Sequence, residues 1–221
     1  MIKAFLFDMD GVLYDSMPGH VQAWRDVMLE FGIPSNLDDF YLLEGRTGSS
    51  TIDALFIRHF GHGATDEEKK NIYRLKTERF IKMAGYNQAM PGSIEVLQKV
   101  KNAGLMRVIV TGSGQKSLFE NIDNHFPGYF NRSLMVTAYD VMIGKPHPEP
   151  YLMGLKKAGI TANEAIVVEN APLGVEAAKA AGIFTIAVNT GPLNNKILQD
   201  AGADVIYGSM TELSENIEKY I

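Results

Sequence analysis

Apolar positions recur in two different rhythms along this chain, and the change of rhythm divides it. Residues 2–7 form a short, nearly unbroken apolar run that ends at Asp8, as expected of a strand buried on both faces. From Ser16 the pattern changes. Val21, Trp24, Val27, Met28 and Phe31 recur every three or four positions and Gly32 stops them, which predicts a helix. A second helix is predicted over 50–60. A third opens at Thr65-x-x-Glu68, a capping-box signature, and continues through Ile72, Leu75 and Phe80. The stretch from 16 to 88 therefore reads as helix and loop alone.

From Pro91-Gly92 onward, strands and helices alternate. Ile94, Leu97 and Val100 predict a helix stopped at Gly104. Strands are predicted at 108–110, 135–138, 165–168, 184–188 and 204–207, with helices at 150–158, at 172–182 and from Thr211. Such alternation predicts an α/β fold, a Rossmann-like doubly wound parallel sheet with helices on both faces. Residues 16–88 are then a helical cap domain inserted into a discontinuous frame, 1–15 with 89–221. No internal repeat or low-complexity tract interrupts it.

Composition narrows the function. A chain of 221 residues, 46% of them hydrophobic, can bury one substantial core and a smaller second unit. The net charge of -5 argues against general affinity for nucleic acid or membrane, so an anionic ligand must be drawn in by local cations. The absence of cysteine excludes disulfides, thiol nucleophiles and thiolate metal ligands. Asp8 breaks the first apolar run, which lacks the features of a signal peptide, and no later run has membrane length. A cytoplasmic protein is the expectation, and the lack of a long exposed apolar stripe makes it a monomer.

Candidate chemistry begins at the mouth of the first strand, in Asp8-Met9-Asp10-Gly11-Val12. A spacing of two along an extended backbone puts both carboxylates on one face, and the glycine lets the chain turn sharply toward a ligand. One carboxylate can attack while the other shuttles a proton. With a phosphoryl substrate an aspartate nucleophile makes an acyl-phosphate, and it needs a metal and a fixed cation to damp repulsion. Asp-Gly at a strand end is also an ordinary turn signal. Two more strand ends supply partners: Thr111-Gly112-Ser113-Gly114 and Glu169-Asn170, with Lys145 in Gly144-Lys145-Pro146 between them. In an open parallel sheet such carboxyl ends face one crevice.

The ordered set Asp8-x-Asp10-Gly11-Val12, Thr111, Lys145 and Glu169-Asn170, followed by Gly174-Val175-x-Ala177-Ala178, resembles the four motifs of the haloacid dehalogenase superfamily across almost the whole chain. The similarity is to its β-phosphoglucomutase-like branch of phosphatases and phosphomutases. The resemblance implies that Asp8 is the nucleophile and Asp10 the general acid and base. It implies that Thr111 and the amides of Gly112 and Ser113 hold the phosphoryl oxygens while Lys145 neutralises charge. It further implies Mg²⁺, a hard cation bound by Asp8, the Asp10 carbonyl and the Glu169-Asn170 tip. An aspartate is usual in the family where this chain has Asn170. An uncharged amide there implies weaker metal binding or greater reliance on Glu169.

In the cap, His20 and Trp24, one helical turn apart, and Lys76 resemble substrate-contacting positions of this branch. Each also has an ordinary structural reading, as a first-turn surface residue, a core aromatic and a solvated charge. The mutase carries a cap-loop arginine that clamps the distal phosphate. Aligning Gly45-Arg46-Thr47-Gly48 puts Gly48 there, with Arg46 two residues earlier as the candidate substitute. The mutase also tends to have a lysine where this chain has Gly114. Loss of basic groups at the non-reacting end favours hydrolysis of a small sugar phosphate monoester. The alternative is a mutase interconverting β-glucose 1-phosphate and glucose 6-phosphate. Asp10 argues against a dehalogenase, whose motif lacks it, and a binding protein would be free to lose Asp8, Asp10 or Lys145. Hinges near Ser16 and Met90 would open and close the cap.

Overall fold

The apolar run after Lys3 becomes strand β1 (Ala4–Phe7), an inner strand with all of its residues buried. It pairs in parallel with β2 (Met106–Ile109) on one side and β3 (Ala165–Glu169) on the other. With β4 (Phe184–Val188) and β5 (Val205–Tyr207) these make a five-stranded parallel sheet of order β2-β1-β3-β4-β5. The computed structural model describes residues 1–83, 88–114 and 118–221, without the side chains of 118–120. Residues 84–87, within the helical insert expected to reach 88, lie outside the described residues.

Register decides where the chemistry lies. Phe7 is level with Ile109 of β2 and with Val168 of β3, so Asp8, the chain entering Thr111, and Glu169 emerge together at one edge of the sheet. Alternation along β1 feeds two cores. Phe5 and Phe7 join Ile109, Val168, Leu97 and Leu213 on one face, whereas Ala4 and Leu6 join Val108, Tyr151, Leu155 and Ala177 on the other.

Helices α1 (Met17–Glu30), α2 (Leu37–Leu42), α3 (Gly48–Phe60) and α4 (Asp66–Lys82) occupy the insert. They gather a core of their own around Val27, Phe40, Ile52, Leu55 and Ile72. The Thr65 capping box forms as read from the sequence, with the Glu68 carboxylate accepting from the Thr65 N–H at 2.7 Å. Beyond the insert come α5 (Ser93–Asn102), α6 (Leu118–His125), α7 (Glu149–Ala158), α8 (Pro172–Ala180), α9 (Asn195–Asp200) and α10 (Met210–Asn216).

The strand expected at 135–138 does not form. Only a lone parallel bridge joins Val110 to Val136: the Asp140 carboxylate takes both the N–H and the hydroxyl of Thr137, each at 2.8 Å, and the Asp140 N–H returns to the Thr137 carbonyl at 3.0 Å, closing a turn where a strand would continue. Helices α2, α6 and α9 are additional to the sequence reading. Among the described residues no helix is long and apolar enough to cross a membrane.

Candidate active site

Asp8 leaves β1 with its N–H bonded to the Val168 carbonyl at 3.0 Å, which fixes the backbone from which its carboxylate projects. The Lys145 ammonium meets that carboxylate at Oδ1 (2.5 Å), Glu169 at Oε1 (2.6 Å) and the Val110 carbonyl (3.0 Å). All three ammonium protons are thus committed. Lys145 and Glu169 are fully buried and Asp8 nearly so. Burial pushes the Asp8 carboxyl up to about 7, with Lys145 opposing and the Glu169 charge adding. Lys145 itself stays protonated, since Asp8 and Glu169 outweigh the cost of its burial.

Asp10 is held differently. Ser16 donates its hydroxyl to Oδ1 at 2.5 Å, and His20 Nε2 lies 3.2 Å from the same oxygen. The Lys76 ammonium donates to His20 Nδ1 at 2.6 Å, which leaves Nε2 to carry the hydrogen toward Asp10. His20 stacks on Phe80 with centroids 3.8 Å apart, and Lys76 stands 5.3 Å from the ring centres of both Trp24 and Phe80. Burial works against the Asp10 carboxylate, but His20, Ser16 and Lys76 together hold it below the usual range. Burial lowers His20 and brings Lys76 down to about 8. The two aspartates, two positions apart in sequence, therefore occupy opposite electrostatic environments.

Thr111 is buried, its hydroxyl accepting from the Ser113 N–H at 3.0 Å. Gly112 is glycine for a steric reason: a Cβ there would stand 2.7 and 2.8 Å from the carbonyl oxygens of Gly45 and Arg46, which the insert presses onto this loop. Between the two layers lies a cavity of about 80 Å³. Asp8, Asp10, Thr111, Gly112 and Ser113 face it from the sheet, and His20, Trp24, Arg46 and Lys76 from the helical insert. Arg46 donates to the Ser50 hydroxyl at 2.9 Å, while its buried Nε finds no partner among the described residues. Lys145, Glu169 and Asn170 lie behind the wall of this cavity rather than on it.

Three residues enter the site that the sequence reading did not select. Glu44, from the loop after α2, accepts from the Asn170 amide at 2.7 Å. Burial, with the nearby Asp8, Glu169 and Asp10 charges, pushes its carboxyl well above the usual range. Tyr73 of α4 stands where a side chain at Gly48 would go, since a Cβ there would be 2.3 Å from its ring. Tyr151 donates to Glu169 Oε1 at 2.8 Å. No local pattern marks Glu44 or Tyr73. Both reach the site only because the insert folds back.

The residues present fit a hard cation. Among the described residues Asn170 Oδ1 is buried with no hydrogen-bond partner, Glu44 having engaged the amide nitrogen, and Glu44 in turn feels the charges of Asp8, Glu169 and Asp10. Among the described residues no three His, Asp or Glu side chains converge to hold a metal unaided, so a donor set here mixes carboxylate, amide and main-chain oxygens. Glu169 is otherwise engaged: Oε1 takes Lys145 and Tyr151, and Oε2 takes the N–H groups of Asn170 and Ala171.

Residues 2–182 match the family of haloacid dehalogenase-like hydrolases. Hexitol phosphatase A of Escherichia coli is 33% identical over 214 residues, which is 96% of this chain and 93% of that protein. Glycerol-1-phosphate phosphohydrolase 2 of Saccharomyces cerevisiae is 32% identical over 217 residues, covering 93% of this chain and 81% of that one. A solved structure from Bacteroides vulgatus, assigned provisionally as a beta-phosphoglucomutase, superposes with a TM-score of 0.94 at 53% identity, over 98% of this chain and 88% of the other. Motifs, parallel sheet and relatives agree, and the chain belongs to the haloacid dehalogenase-like hydrolases, an enzyme family.

Proposed function

We propose that this enzyme is a Mg²⁺-dependent phosphatase that hydrolyses small phosphate monoesters, sugar phosphates among them, through an aspartyl-phosphate on Asp8. The observation that carries the reading is the pair of opposed environments around one cavity: Asp8 paired to a buried ammonium, Asp10 held by Ser16 and His20. Asp8 attacks phosphorus in line, and Lys145 keeps the attacking carboxylate from repelling the incoming anion. Thr111 and the main-chain N–H groups of Gly112 and Ser113 receive the phosphoryl oxygens. Asp10, a carboxylate until substrate arrives, takes the proton carried in by the monoanionic phosphate group and gives it to the leaving oxygen; as carboxylate again it takes one from the water that cleaves the aspartyl-phosphate. Asp8, the Asp10 carbonyl and Asn170 Oδ1 would hold Mg²⁺, with Glu44 orienting the amide. When bound, the cation offsets the negative charge gathered on Asp8 and the phosphoryl oxygens. Glu169 serves Lys145 in this reading rather than the metal.

Residues 16–88 act as the cap domain over a core of 1–15 and 89–221, and the hinges near Ser16 and Met90 open it for substrate. A cytoplasmic monomer acting on small metabolites fits this reading.

Hydrolysis is favoured over phosphate migration by two features. Gly114 stands where the mutase tends to carry a lysine, so one basic group for a distal phosphate is missing. Tyr73 also fills the space that a mutase-type arginine at Gly48 would need. The phosphatase relatives of E. coli and yeast support it further. The mutase reading keeps one supporting observation besides the B. vulgatus structure: Arg46 lines the cavity, and its Nε has no partner among the described residues.

Phosphorus NMR with β-glucose 1-phosphate, Mg²⁺ and a trace of glucose 1,6-bisphosphate separates the two. A panel of monoesters graded from three-carbon to hexose phosphates follows. Inorganic phosphate released fastest from the smaller esters, and lost with EDTA or in Asp8→Asn, is the expected result. Accumulation of glucose 6-phosphate would establish the mutase instead.

A further inference from the structure

Tyr151 lies in the first turn of α7, fully buried beneath the carboxyl edge of the sheet. Its hydroxyl donates to Glu169 Oε1 at 2.8 Å, and its ring centre is 5.0 Å from the Lys145 ammonium. The same Oε1 accepts from Lys145 at 2.6 Å, whereas Oε2 takes the N–H groups of Asn170 and Ala171 at 2.9 and 3.1 Å. Lys145 is thus shared between two carboxylates, at 2.5 Å from Asp8 and 2.6 Å from Glu169. Packing alone does not account for the tyrosine, because phenylalanine would fill the same space and keep its ring face toward Lys145. The hydroxyl is the group that needs a purpose.

A carboxylate oxygen that already accepts one strong hydrogen bond pulls less on a second donor. We propose that Tyr151 is a positioning residue for phosphoryl transfer: by donating to Glu169 Oε1 it limits the hold of Glu169 on Lys145 and keeps the ammonium charge directed at Asp8. Tyr151 touches neither the substrate nor the reacting atoms. It acts through Glu169 and Lys145, and the inference rests on the reading of Asp8 as nucleophile.

Tyr151→Phe keeps the ring and removes only the hydroxyl. In the full-length enzyme with Mg²⁺ and the fastest ester of the panel above, kcat should fall about tenfold with KM within about twofold of the parent. The effect should vanish in a Glu169→Gln background, where there is no carboxylate charge to moderate. Side-chain nitrogen NMR of the metal-free protein gives a readout independent of turnover, in which the Lys145 ammonium signal should move in Tyr151→Phe. Unchanged kcat and an unmoved Lys145 signal, with only a lowered Tm, would make the hydroxyl a merely satisfied buried group and overturn the proposal. So would an equal loss of kcat in the Glu169→Gln background. Asp8→Asn, assayed alongside, separates the two readings. Turnover surviving in Asp8→Asn defeats the nucleophile assignment, whereas an inactive Asp8→Asn beside a fully active Tyr151→Phe defeats only the role of Tyr151.

Discussion

Lys76 shows what the site costs at the scale of one residue. It is 4% exposed, and burial brings its amine from 10.5 to about 8, with Asp10 pulling weakly the other way. Below pH 8 folded and unfolded chains are both protonated, and the folded state bears the full penalty of a buried charge. Between about 8 and 10.5 the folded chain has released that proton while the unfolded chain still binds it, so stability rises with pH across that window. Lys76→Met removes the term. Urea unfolding should find the variant more stable than the parent at pH 7, by at most roughly 3 kcal/mol, with the gap closing toward pH 10.5. Turnover should nonetheless fall, because His20 loses the donor that fixes its tautomer. A gap that does not narrow with pH would place the penalty elsewhere. At this scale Asp8, Asp10, Thr111 and Glu169 were legible in the sequence because each sits where an apolar run gives way to a turn, and Lys145 only through its place in the ordered motif set. Glu44 was not, since its partner Asn170 lies 126 residues away.

Whole elements carry these side chains into place, and α4 is the clearest case. It brings Tyr73 and Lys76 to the cavity and starts at the Thr65 capping box, whose Glu68 carboxylate closes on both the N–H and the hydroxyl of Thr65 at 2.7 Å. Thr65→Ala should cost about 1 kcal/mol in urea unfolding and leave kcat near that of the parent, since Lys76 lies three turns inside the helix. A larger fall in kcat than in stability would mean that fraying reaches Lys76. Elements with their own signal were readable: β4 fills the expected 184–188, and α4 begins at the expected cap. The six-residue helices α2 and α9 are too short to display a full apolar period, although Asn36 and Asn194 cap them. At 135–138 the apolar run had the composition of a strand, but Asp140 decided the backbone path. A side-chain hydrogen bond of that kind leaves no trace in hydrophobic periodicity.

At the scale of the molecule the insert is seated on the sheet by close polar contacts rather than by a shared apolar core. Glu44 meets Asn170 at 2.7 Å, and Gly112 admits the carbonyls of Gly45 and Arg46. Asn170→Asp would replace the amide that donates to Glu44 by a second acid that must share a proton with it, with a loss of about 2 kcal/mol in the metal-free protein. Mg²⁺ should then raise the Tm of the variant more than that of the parent, because it has more like charge to offset. Equal gains in thermal unfolding would argue that no cation binds beside residue 170. The alternation of strands and helices was readable apart from 135–138 and the helices α2, α6 and α9, whereas this junction depends on side chains from distant segments. Trp24 is the chain's single tryptophan, and it forms part of the cavity wall with the Lys76 ammonium 5.3 Å from its ring. All indole fluorescence from this protein therefore originates beside the cavity, so the native, unlabelled chain carries its own optical gauge of whether the space is filled.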